Sequence, residues 1–211
     1  MPRSSRTLMA AATVLLAALF LVPLWHIGLS APQYPEGLGM AIRINTIVGD
    51  TPYDLANINN LNHYIGMRAI DPDEVSLFRI MPWALAALVA LGVLATIVNR
   101  RSVVYAWIAG VVALGAVGLV EFYRWGYEYG HNLDAETAII KIPGMSYQPP
   151  VLGVKQILNF SAASWPAIGT WFAIAAVLCA IGALVLARRS APARMPAPMR
   201  LTNSAPSAVR G

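Results

Sequence analysis

Four long stretches of the chain carry no charged residue, and polar, turn-rich segments separate them. The first runs from Thr7 to Pro35 and is most apolar over Leu8–Trp25; the others are Ile80–Asn99, Ser102–Val120 and a stretch centred on Trp165–Ala187. Each reads as a continuous apolar run rather than an alternating one, which favours helices over strands. Each also supplies the ~20 apolar residues that a helix needs to cross the hydrocarbon core. The pattern predicts an all-α membrane protein, with four transmembrane helices in residues 1–189. Two long external loops, 30–79 and 121–164, are expected to pack together as a small cap.

Composition agrees with that class. The 211 residues are 57% hydrophobic and only 12% charged, with mean hydropathy +0.58. A soluble domain carries about 25% charged residues, so this chain lacks the charge to cover a water-facing surface. The lipid bilayer is the first expected partner.

Charge distribution sets the expected orientation. Arg3, Arg6, Arg100, Arg101, Arg188, Arg189, Arg194, Arg200 and Arg210 cluster at one set of span ends with no acidic residue among them. All ten acidic residues lie in the two long loops. Basic flanks stay inside, so both termini are expected in the cytoplasm and both loops outside. The pI of 9.7 therefore gives no argument for nucleic acid. Cleavage of the first span as a signal peptide is disfavoured by Leu29 and Pro32 around the obvious cut after Ala31. Residues 190–211, rich in Pro, Ala, Ser and Arg, are expected to be a disordered cytoplasmic tail. The lone Cys179 falls within the fourth span and reads as a packing residue.

Candidate chemistry is confined to the loops. In "TPYDLANINNLNHYIGM" a short helix starting near Asp54 would stack His63 and Met67 one turn apart. Imidazole and thioether suit Cu(I), a soft cation. The second loop adds His131 and Met145, while His26, Met40 and Met81 are possible additional ligands. The bland alternative is equally concrete: the methionines pack beneath the cap and the histidines make ordinary hydrogen bonds. His26, beside Trp25, also suits an interfacial anchor, and Trp25, Trp83, Trp125 and Trp165 suit an aromatic belt. No GxSxG, phosphate loop, HExxH or CxxC occurs, so an enzyme is not expected. The spans hold no internal acidic or basic residue, which argues against an ion pump.

The strings "APQYPEGLGM", "INNLNHYIGM" and "PGMSYQPPVLGVKQILNFSAASWP" resemble a family of small four-span bacterial membrane proteins. Its members are encoded beside maturation genes for the copper enzyme nitrous oxide reductase, including its copper chaperone lipoprotein. The resemblance implies copper handling on the outer face of the bacterial cytoplasmic (inner) membrane, with copper as cofactor and a periplasmic copper protein or chaperone as partner. Against it stands a non-catalytic scaffold whose cap docks a partner protein. Reporter fusions at Arg101 should behave as cytoplasmic and fusions at Asp134 as periplasmic; the opposite pattern would reverse the orientation.

Overall fold

A computed structural model describes residues 2–134, 136, 138–140, 144 and 146–189. It begins with helix α1 (Arg3–Ala17), extended by one 3-10 turn over Ala18–Phe20, and then enters a sheet. Strands β1 (Trp25–Ala31), β2 (Tyr34–Ile42) and β3 (Ile47–Gly49) precede a short helix α2 (Asp54–Tyr64). Two long helices follow, α3 (Ser76–Val98) and α4 (Arg101–His131). The chain returns to the sheet through β4 (Gly153–Ile157) and β5 (Phe160–Pro166) and ends in α5 (Ile168–Arg189). The five strands are antiparallel in the order β3-β2-β1-β5-β4.

The all-α, four-span expectation is therefore wrong. Three helices, α3, α4 and α5, are long and apolar enough to cross a membrane. The first apolar run does not continue as one helix through Trp25. Its regular part stops at Ala17, and Trp25 already begins β1. The reason is visible in "WHIGLSA": Trp25, Ile27, Leu29 and Ala31 alternate with His26, Gly28 and Ser30, the two-residue period of a strand with one apolar face. Pairing then satisfies the backbone of segments whose Gly and Pro content suggests loops.

The helices pack in a ring. α1 lies against α5 and α3, α3 against α4, and α4 closes onto α5. Small residues allow the tightest of these contacts: Ala12 of α1 and Ala176, Ala180 and Ala183 of α5 are fully buried. In lipid such close backbone approach replaces the hydrophobic drive available in water. The Ser5 hydroxyl donates to the Ala183 carbonyl at 2.6 Å, and Arg6 Nε donates to the Thr96 carbonyl at 3.2 Å. Arg101 donates to the Ala187 carbonyl and Arg188 to the Tyr105 hydroxyl. Arginines at this end thus meet helix C-terminal carbonyls, where the helix dipole favours positive charge. α3 and α4 are joined by a tight turn in which Asn99 adopts a left-handed conformation (φ 54°) to stop the helix.

The sheet sits at the other end. One face, built from Ile27, Leu38, Met40 and Ile47, packs on Ile58 of α2 and on Tyr129 of α4. α4 reaches that far because it runs 31 residues, about 46 Å at 1.5 Å per residue. That exceeds the ~30 Å hydrocarbon core, so α4 is longer than a crossing requires.

At the basic end, Trp107 is fully buried and its Nε1 donates to the Leu88 carbonyl at 2.8 Å. A Cβ on Gly92 would stand 2.5 Å from Thr13 Oγ1 and 2.8 Å from Trp107 Nε1. Gly92→Val should therefore lower thermal stability in detergent by about 1–3 kcal/mol, the usual cost of overpacking. A melting temperature equal to wild type would show that this contact is slack.

Candidate functional site

The sheet half of the molecule is organised by α2 and the C-terminal turns of α4. Asp54, the first residue of α2, is almost fully buried and anchors the helix to the sheet. Its Oδ2 accepts from the Gly39 N–H at 2.9 Å, and its Oδ1 accepts from the Thr51 hydroxyl. The Thr51 bond, followed by the Gly39 N–H, holds its carboxyl below the usual carboxylate range. Asn59 clamps the chain after the helix, donating to the Ile70 carbonyl at 3.2 Å and accepting its N–H at 2.7 Å. α4 contributes Phe122, Trp125 and Tyr129, at i, i+3 and i+7, as a ladder of rings beside Trp25. Trp25–Phe122 centroids are 5.5 Å apart and Trp125–Tyr129 4.6 Å. The Arg68 guanidinium lies 5.3 Å from the Tyr129 ring centroid, and Tyr129 raises its pKa.

His63 and Met67 do not share a helix face. α2 ends at Tyr64, and the Met67 N–H closes the turn onto the Asn62 carbonyl at 2.9 Å. Gly66 makes the reversal possible with φ 74°, and a Cβ there would stand 2.6 Å from the Asp134 carbonyl oxygen. The reversal drops Met67 into the apolar clusters of the domain and leaves His63 exposed to solvent. His131, the last residue of α4, is exposed and stacked on Tyr127 (centroids 4.0 Å), with Nδ1 2.9 Å from the Tyr127 carbonyl oxygen. Met145 lies outside the described residues.

The additional candidates also separate. Met40 is buried in the sheet-side cluster and Met81 in the helix-side cluster. Each thioether is packed as an apolar group. His26 sits on the opposite face of β1 and pairs with Asp50, Nε2 to Oδ2 at 2.7 Å, both half-exposed. Nothing in the sequence pattern pairs His26 on β1 with Asp50, the residue after β3; only the β1–β2–β3 register brings them together. Of the four tryptophans read as a belt, Trp83 and Trp165 are exposed, while Trp25 and Trp125 belong to the ring ladder.

One near-convergence does occur. The segment after His131 lies along the end of α2: Asp134 N–H donates to the Gly66 carbonyl at 2.8 Å, and Ile139 and Ile140 N–H both donate to the Tyr64 carbonyl. Tyr64, Ile139 and Ile140, joined through these backbone bonds, are each exposed, 49%, 65% and 44% accessible, and His63 precedes Tyr64 in the chain. Among the described residues, no three His, Cys, Asp or Glu side chains are grouped closely enough to hold a metal. No family model and no curated protein matches the chain.

The depressed Asp54 pKa has a pH consequence. Its contribution to folding is present above the unfolded carboxyl pKa and is lost as pH falls through the lower folded value. Asp54→Asn should destabilise the external domain at neutral pH and flatten the acid limb of a stability–pH curve below the ordinary carboxylate range. Thermal unfolding followed by tryptophan fluorescence across pH checks both; parallel curves would remove Asp54 as the cause.

Proposed function

We propose that the chain is a non-catalytic accessory protein of the bacterial cytoplasmic membrane whose sheet domain, on the outer face, docks a partner protein. The orientation follows from the arginines gathered at the opposite end of the bundle. The observation that carries the docking role is the exposure of Tyr64, Ile139 and Ile140, whose segments are joined by backbone hydrogen bonds, on a domain that also exposes Tyr53, Leu152 and Val154. Exposed apolar surface of this kind marks protein–protein contact sites. The thioethers of Met40, Met67 and Met81 support the same reading, since all three are used for packing.

Copper handling is the second reading, and one observation favours it. The backbone bonds from 134–140 to Gly66 and Tyr64 bring the segment after His131 alongside the helix end that carries exposed His63. Two imidazoles on adjoining segments are a starting point for a Cu(I) site at the docking surface.

One set of variants separates the two. A photo-crosslinking residue at Tyr64 should give a discrete adduct in cells, lost when Ile139→Asp is added, while Cu(I) titration of the purified protein should be unchanged by His63→Ala and His131→Ala. Loss of Cu(I) binding in those histidine variants, with no adduct at Tyr64, would reject docking and put copper in front.

A further inference from the structure

The helix ring is tight at the basic end and open toward the sheet, where it borders an open cleft of about 650 Å³. Its walls are apolar and come from every helix of the ring: Leu16 of α1, Leu85 of α3, Val111 and Leu114 of α4, and Ala173 of α5. Trp25 and Ile42 of the sheet form the roof. The space exists because α4 presents glycine to it. A Cβ on Gly115 would meet nothing within 4 Å, and one on Gly118 would meet only Met81 Cε at 3.4 Å. The contrast with Gly92, wedged against Thr13 and Trp107, is direct.

An apolar space of this size holds water poorly, because its walls offer too few hydrogen-bond partners. Left empty, it forfeits the dispersion contacts of its lining. Its volume is that of an ordinary ligand site. Gly115 and Leu119, both exposed, border it on α4, so an occupant has a route from the bilayer. The outer rim is polar and of mixed sign: Arg43, Arg68 and Arg124 stand among Glu74, Glu121 and Glu128. Arg124 pairs with Glu121 at 2.9 Å and Arg68 lies 4.0 Å from Glu128. A purely anionic head would meet three carboxylates there, whereas a head carrying both charges meets partners of both signs. The Trp25, Phe122 and Trp125 rings line the junction, and such rings favour the headgroup level of a bilayer.

We propose that this cleft seats one acyl chain of a zwitterionic phospholipid, with its phosphate at Arg68 and Arg124 and its ammonium at Glu74 and Glu128. The lipid then fills the joint between the membrane helices and the external domain. This inference stands apart from the docking role, since it concerns a different surface.

The test uses the full chain in nanodiscs of equimolar phosphatidylethanolamine, phosphatidylglycerol and a long-chain quinone, followed by mild delipidation and native mass spectrometry. About one phosphatidylethanolamine per chain should survive, as expected for a single ligand-sized site. Gly115→Trp, which occupies the space, should reduce retention about tenfold, equivalent to ~1.4 kcal/mol. The Arg68→Gln, Arg124→Gln pair changes two exposed rim side chains, Arg68 also giving up its place over the Tyr129 ring, and should reduce it comparably; this pair, checked for an unchanged melting temperature, decides the matter if the tryptophan variant fails to fold. Retention of phosphatidylglycerol or quinone instead, no retained lipid, or retention unaffected by the rim pair would overturn the proposal.

Discussion

The sheet half of the molecule depends on α4 remaining a helix beyond the length that a membrane crossing needs. Within lipid, its backbone bonds must be satisfied internally, and a helix is the only open-chain way to do so. Beyond Val120 the charge-free run ends, yet the helix continues to His131, where Phe122, Trp125 and Tyr129 pack in one apolar cluster with the sheet. Burial of that face, at roughly 25 cal/mol per Å², supplies what the missing lipid no longer does. The domain is thus built around the exposed end of a membrane helix.

The sheet is the necessary counterpart. A helix end with one aromatic stripe needs a flat apolar surface, and the alternating residues of β1 and β2 provide one: Trp25, Ile27 and Leu29 beside Leu38, Met40 and Ile42. Its central strand is also the segment that leaves α1, so the first and last helices of the bundle both feed directly into neighbouring strands. Leu24 accepts the Ala167 N–H at 3.0 Å and Pro23 accepts the Gly169 N–H at 2.9 Å, stitching those two transitions together. α2 is then bolted on by Asp54, a buried carboxylate satisfied by one hydroxyl and one backbone N–H.

How much of this could be read from residues alone varies by element. The cores of α3, α4 and α5 were legible because an unbroken charge-free run has few alternatives. The outer third of α4 was legible only in part: Glu121, Arg124 and Glu128 keep the i, i+3, i+7 spacing of one helix face, but their charge does not say how far the helix runs. The sheet was hidden by length: Trp25–Ala31 follows an apolar run without a charge to mark the boundary, and its two-residue rhythm is masked by the excess of apolar residues. At the candidate site, the i, i+4 spacing of His63 and Met67 was real in sequence but void in space, because Gly66 reverses the chain one residue before Met67. The His26–Asp50 pair and the cleft beside Gly115 depend on register and on helix splay, which no local pattern encodes.

The direct fusion of strands to helices makes the external domain a lever instead of a ball on a string. β1 follows the α1 segment within four residues and β5 runs into α5 across a single residue, Ala167. Neither joint has slack to absorb rotation. The orientation of the sheet is therefore tied to that of α1 and α5, two helices packed together through alanines. With α5 about 33 Å long, a few degrees at the sheet become a displacement of ångströms at the far end. Arg188 and Arg189, in the last turn of α5, sit at that far end.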